Sequence, residues 1–149
     1  MVTSGDGWTT CAAGHRHWGR FGAAGLLAVT QGTPYVLMQH RAAWSHGGDT
    51  WGVPGGARGS TETALAAAQR ETVEETGIDV GQVGPVAQHV ADHGSWSYTT
   101  IVATVPVRLP VVPDRESIAL RWVPLDEVTG LPLLPAFAAD WPALLELLP

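Results

Sequence analysis

The sequence predicts an α/β fold, a mixed β-sheet lying between helices, and three observations lead there. Short apolar runs bounded by Gly, Pro, Ser or Asp recur along the chain as candidate strands. Only two stretches carry a helical signature, and they lie far apart in the chain. No internal repeat divides the 149 residues, a length suited to one domain with its own core and too short for two. Strands, two helices and no repeat favour one mixed sheet.

Each element has its own warrant. Residues 1–18 read as an irregular N-terminal segment of a single domain, 1–149. Residues 20–30, RFGAAGLLAVT, give a small-residue strand, and 35–41, YVLMQHR, a second, with the turn QGTP between them. Trp51-Gly52-Val53 is a short strand running into Pro54-Gly55-Gly56. A helix is expected near 64–76, with Thr63 as N-cap and Gly77 just past its C-terminus. Strands follow at 79–91 and 97–107, joined by DHGSWS; their Pro and Gly mark bulges or edges. IALRWV at 118–123 is the last strand. A turn of helix at 124–129 and a closing helix near 136–148 complete the chain.

Composition narrows the functional classes. With 45% hydrophobic and 15% charged residues, the chain is expected to fold as a soluble globular protein. Its net charge of −6 argues against a nucleic-acid polymer as ligand, although a small polyphosphate can arrive together with its metal. The single cysteine, Cys11, excludes an internal disulfide and fits a reducing compartment. No stretch reads as a signal peptide or approaches the ~18 apolar residues of a membrane span, so the cytoplasm is the expected location.

The strongest functional signal is GARGSTETALAAAQRETVEETGI, from Gly56 to Ile78. On a helix, Glu74 and Glu75 fall roughly 60° and 40° to either side of Glu71, so three carboxylates share one arc. Like charges at this spacing repel, and the negative end of the helix dipole opposes them too. A hard divalent cation such as Mg²⁺ turns that repulsion into coordination, because it takes oxygen ligands. Ala64 and Ala67 lie upstream on the same stripe and leave room above it. Leu65, Ala68, Thr72 and Val73 form another side, the one expected to pack on the sheet. Arg70 is in reach of Glu74 at i,i+4 or of Glu62 behind it.

The order Gly56, Glu62, Arg70-Glu71, Glu74-Glu75, Gly77-Ile78 resembles the Nudix signature, the loop–helix–loop of hydrolases acting on nucleoside diphosphates linked to another group. Every charged and glycine position is filled at the right spacing. Thr72 departs from the usual aliphatic residue, and its methyl can still pack inward. YVLMQHRAA, WGVPGG and LRWVPLDEV also look like the family's flanking strands, so the resemblance covers most of the chain. It implies an α/β/α sandwich with a mixed sheet, and the hydrolysis of a diphosphate bond with Mg²⁺, Mn²⁺ being the expected substitute. It places Glu71, Glu74 and Arg70 among the catalytic residues, with Glu71 or Glu74 as the base. Glu71, Glu74, Glu75 and the carbonyl of Gly55 or Gly56 are the implied metal ligands, and a homodimer is a candidate assembly.

Outside the signature the candidates are less sharply marked. The family often recruits a further carboxylate; Glu116, ahead of IALRWV, is the candidate and Asp92 its rival. Arg41, at a strand end, is a candidate for phosphate, and His93 for phosphate or proton transfer. Cys11, His15 and His17 make a C-x3-H-x-H spacing, but with no fourth ligand close in sequence zinc is disfavoured. Of seven tryptophans, Trp18, Trp44 and Trp96 stand in loop-like contexts where one could stack on a base. Trp51, Trp122 and Trp141 read as core.

The leading expectation is therefore a Mg²⁺-dependent pyrophosphohydrolase of a small nucleotide-like substrate. A nucleoside triphosphate, including an oxidised one such as 8-oxo-dGTP, or a diphosphate-linked sugar would suit. The alternatives are a catalytically inactive Nudix-like nucleotide sensor, against which the intact glutamates count, and a diphosphate isomerase.

Overall fold

A computed structural model describes residues 2–149. Its strands are β1 Trp8–Thr10, β2 Arg16–Trp18, β3 Ala23–Thr30, β4 Tyr35–Arg41, β5 Trp51–Gly52, β6 Gly55–Ala57, β7 Gly84–Asp92, β8 Ser97–Val105 and β9 Ser117–Pro124. The helices are α1 Ala64–Thr76 and α2 Pro135–Leu147, with 3-10 turns at Val80–Gln82 and Leu125–Gly130.

Strand β3 is the axis of the main sheet. It runs parallel to β8 along its whole length, from Ala23 beside Tyr98 to Thr30 beside Val105. Its other edge is shared: β6 pairs antiparallel with Ala23–Gly25, while β4 joins at Val29. β4 carries β9 along one side and β5 at its far end, and β7 closes the opposite edge on β8. The sheet is mixed, as expected. β3 is buried at every position, which fits its unbroken small and apolar sequence.

Alternation along these strands feeds two cores. Ala24, Leu26 and Ala28 point with Ile101, Ala103 and Val105 to the α1 side. Leu27 and Val29 point with Val102 to the α2 side, where Phe137, Trp141 and Leu144 pack. The result is the α/β/α layering the sequence suggested. Among the described residues no helix is long and apolar enough to cross a membrane.

Helix α1 has the limits read from the sequence. Thr63 caps it, its side chain accepting from the Ala66 amide, and Gly77 ends it at φ 66°, in the left-handed region glycine tolerates. Its buried face needs correction. Leu65 and Val73 are 37% and 40% exposed, whereas Ala67, Ala68, Thr72, Glu75 and Thr76 are buried. Small alanines let the helix lie close on β3, and the carboxylate stripe is thereby partly turned into the sheet. Thr72 packs inward as expected.

Residues 1–18 are not wholly irregular. β1 and β2 form a separate antiparallel ladder, with Trp8 opposite Trp18 and Thr9 opposite His17. β6 was also missed, and a 3-10 turn replaces the first residues of the strand expected at 79–91. The register slips between Pro85 and Ala87, the bulge that the proline signalled.

Candidate functional site

The signature loop is held by one brace between Glu62 and Arg70. Glu62 accepts from the Gly59 amide at 2.8 Å and takes both arms of Arg70, at 2.7 and 2.9 Å. Arg70 also donates to the Ala57 carbonyl at 3.0 Å, and Arg58 donates to the Glu62 carbonyl. This bidentate pairing, above all, pulls the Glu62 carboxyl down to about 2 and raises the Arg70 guanidinium further above its ordinary range. Loop and helix are locked together.

Beyond the brace the carboxylates are poorly compensated. Glu71 takes one Arg70 bond at 3.0 Å. A Cβ on Gly56 would sit only 2.5 Å from its carboxyl carbon, so glycine alone lets the strand approach this closely. Glu75, 3% exposed, accepts from the Gly55 amide at 3.0 Å and from the Gln39 amide at 3.1 Å. Ser117 Oγ accepts Gln39's other bond at 2.9 Å. Neither carboxylate meets a full opposing charge of its own. Burial, first of all, pushes Glu71 up to about 7 against the pull of Arg70, with Glu74 and Glu116 adding to the rise. Burial likewise pushes Glu75 up to about 9, Gln39 opposing and Glu71 and Glu116 reinforcing. Buried acid groups crowded together in this way are suited to a divalent cation. Glu74 differs: its side chain is 57% exposed and touches Arg70 only at 3.5 Å.

These groups lie in a cleft of about 1300 Å³, which also receives Gly56, Glu116, Arg41, Trp18 and His93. The signature glutamates, Arg70, Gly56, Glu116, Arg41, Trp18 and His93 thus border one space. Asp92 does not; it accepts from the Gly94 amide and closes a turn. Arg41 donates to the His46 carbonyl at 3.0 Å, which fixes the loop after β4. Trp18 is 41% exposed and meets Trp8 edge to face at 5.4 Å, and the guanidinium of Arg16 covers Trp8 at 4.5 Å. Trp44, 68% exposed, also lines the cleft. Trp96 is no free platform: it is buried, stacks on His17 and donates its indole N–H to the Gly19 carbonyl at 2.8 Å. Trp51 and Trp141 are core as expected.

Three residues escaped the sequence reading. Gln39 meets Glu75 from 36 positions away. The Tyr98 hydroxyl reaches the backbone at Gly25 and Gly55, and burial raises its pKa. Trp8 pairs with Trp18 through a ladder only three residues long. An aromatic placed beside turn glycines, as in Gly7-Trp8, was the one available signal.

Comparison with known proteins shows the family and the fold. The NUDIX domain family model matches residues 19–147. A Mycobacterium tuberculosis (strain H37Rv) protein, provisionally named 8-oxo-dGTP diphosphatase 3, is 50% identical over 146 residues, covering 92% of this chain and 67% of that protein. A nucleoside triphosphate pyrophosphatase/Nudix hydrolase fusion protein of Bifidobacterium longum is 44% identical over 146 residues, covering 93% of this chain but 30% of its own length. Among solved structures, RenU, a Nudix hydrolase from M. smegmatis, superposes with a TM-score of 0.88 at 46% identity, covering 95% of this chain and 94% of that one.

Proposed function

The chain belongs to the Nudix hydrolase family, and from that premise we propose that this pyrophosphohydrolase cleaves a diphosphate bond in a nucleoside triphosphate with the help of Mg²⁺. The name borne by the M. tuberculosis relative favours an oxidised purine triphosphate, 8-oxo-dGTP, as the first substrate to try. The observation that carries the metal assignment is the pair Glu71 and Glu75: Glu75 is buried against neutral amides, and half-buried Glu71, which shares Arg70 with Glu62, lies beside a glycine that leaves no room for a side chain. Residues 1–149 act together as one unit in this reading, and the cytoplasm remains the proposed location.

Glu71, Glu75 and the backbone at Gly55 or Gly56 would hold the ion, with Glu74 and Glu116 at its rim. Bound there, Mg²⁺ supplies positive charge to the phosphoryl oxygens and acidity to water. Mn²⁺ offers the same oxygen-seeking chemistry. Glu74, largely exposed and weakly held, is free to accept a proton from water; Glu71 is the other candidate. Arg70 acts by position: its contacts with Glu62, Glu71 and Ala57 aim the carboxylates and fix the loop. Arg41 and Arg16 supply positive charge along the cleft for phosphates, and Trp8 with Trp18 presents π-faces for a base.

The test is turnover of a panel of nucleoside triphosphates, 8-oxo-dGTP, NDP-sugars, ADP-ribose and dinucleoside polyphosphates, with pyrophosphate and phosphate release followed with and without Mg²⁺. Glu74→Gln should lower turnover by orders of magnitude on whichever compound is cleaved, with the fold intact by circular dichroism. Equal turnover in wild type and in both the Glu74→Gln and Glu75→Gln variants would refute the metal assignment.

A further inference from the structure

Away from the glutamates, the N-terminal hairpin and the β7–β8 turn bring together three side chains that the hydrolytic reading does not use as ligands. Cys11 Sγ and one ring nitrogen each of His17 and His93 all lie within 4.8 Å of one another. Cys11 is a free thiol, 4% exposed, at the end of β1. His17 faces it from β2, and His93 follows β7.

The supports of this cluster are rigid. His17 stacks on Trp96 with ring centroids 4.0 Å apart and planes 8° from parallel, and Trp96 is itself tied to Gly19. The Cys11 amide donates to the His15 carbonyl at 2.9 Å, and the His93 amide to the Trp96 carbonyl at 2.8 Å. Within this frame His17 Nε2 is buried with no hydrogen-bond partner. A buried ring nitrogen in a folded protein ordinarily finds one. The His93 ring lies only 4.7 Å from that of His17, a repulsive arrangement for two imidazolium ions and a favourable one for two neutral rings sharing a cation. Burial and then His93 lower the pKa of His17, which keeps it in the ligating form.

We propose that Cys11, His17 and His93 form a binding site for Zn²⁺, a thiolate and two imidazoles with the fourth position left to water from the cleft. The donor set is the one zinc selects over Mg²⁺, which wants oxygens. Around a tetrahedral zinc, bonds of about 2.3 Å to sulfur and 2.0 Å to nitrogen put ligand atoms about 3.3–3.6 Å apart. The cluster therefore needs to close by roughly an ångström from its widest separation, and the exposed His93 can swing that far. The spacing C-x3-H-x-H pointed to His15 instead; its ring lies 6.5 Å from His17, and the ligand from outside the hairpin replaces it. Zinc here would fasten the hairpin carrying Trp8 and Trp18 to the end of the main sheet.

The chain's single cysteine makes the test selective, because any thiolate-to-metal charge-transfer band must report Cys11. Chelator-treated protein is titrated with Co²⁺ and followed by absorption. We expect a charge-transfer band and intense tetrahedral visible bands saturating at one equivalent, displaced by Zn²⁺ and unmoved by excess Mg²⁺. Cys11→Ser should abolish the band, and His93→Gln should weaken Co²⁺ binding by about tenfold or more, circular dichroism confirming that both are folded. Glu71→Gln and Glu75→Gln should leave the band in place, so this site stands or falls apart from the hydrolytic one. Absence of the band in folded wild type, or its persistence unchanged in His93→Gln and His17→Gln, overturns the proposal.

Discussion

Glu62 and Glu75 belong to the same loop–helix unit and are both largely withdrawn from water, yet their acidities are driven in opposite directions. Glu62 meets a guanidinium through two parallel bonds and falls to about 2. Glu75 meets two amides and the neighbouring acid groups Glu71 and Glu116, and rises to about 9. The first arrangement stabilises the fold; the second stores an unmet demand for positive charge. Where a protein leaves a buried acid group so poorly matched, function is the natural place to look.

Neutralising the mismatched member is the sharpest way to break this contrast. Glu75→Gln should cut turnover at least about 10²-fold and, above neutral pH without metal, should stabilise the fold by about 1–3 kcal/mol. Gln39 can accept the new carboxamide by rotating its own amide, since its Oε1 has no partner. Melting curves and steady-state rates check both halves; a variant that loses activity and stability together would mean that Glu75 is structural.

The pH dependence of the metal-free protein has the corresponding sign. Because the folded pKa values of Glu71 and Glu75 are raised, their contribution to stability is complete below the ordinary carboxylate range. It is lost as pH rises through about 7 and then about 9. Glu62 has the reverse sign: its contribution is present above the ordinary range and lost as pH falls through about 2. Denaturant midpoints across this range should fall on the alkaline side without Mg²⁺ and flatten when Mg²⁺ is added.

Gly56→Ala tests the cradle. The new methyl would press on the Glu71 carboxylate, and a displacement of about 1 Å lowers turnover by about 10². Arg70→Ala tests the brace. With Arg70 40% exposed, the expected loss is about 1–2 kcal/mol of stability after allowance for solvent, along with slower turnover, read by denaturation and kinetics. The smallest effect is expected at Trp18→Ala: losing one stacking face, worth about 1–3 kcal/mol per base, should raise KM roughly tenfold and leave kcat almost unchanged.

The site was legible in the sequence wherever its logic is local. Thr63, Gly77 and the spacing of Glu71, Glu74 and Glu75 fix a helix and an acidic arc within one stretch of chain, and the resemblance carried by those residues was confirmed by the family match. What the sequence hid was produced by tertiary contact. The exposure of Leu65 and Val73 follows from how closely alanines let α1 approach β3, which no helical wheel encodes. The hairpin β1–β2 has three-residue strands, too short to show a period. His93 joined Cys11 and His17 only because the β7–β8 turn folds against the hairpin.

The parallel seam between β3 and β8 joins residues 23–30 to residues 98–105. Such a pairing closes a long span of polypeptide before any contact rewards it, which makes it slow to nucleate. Helix α1, capped at both ends, needs only contacts between near neighbours in the chain, so its closure cost is small. In refolding experiments, helical circular dichroism should therefore recover ahead of hydrolytic competence, because Gln39, Gly55 and Glu75 meet only once the centre of the sheet has zipped shut.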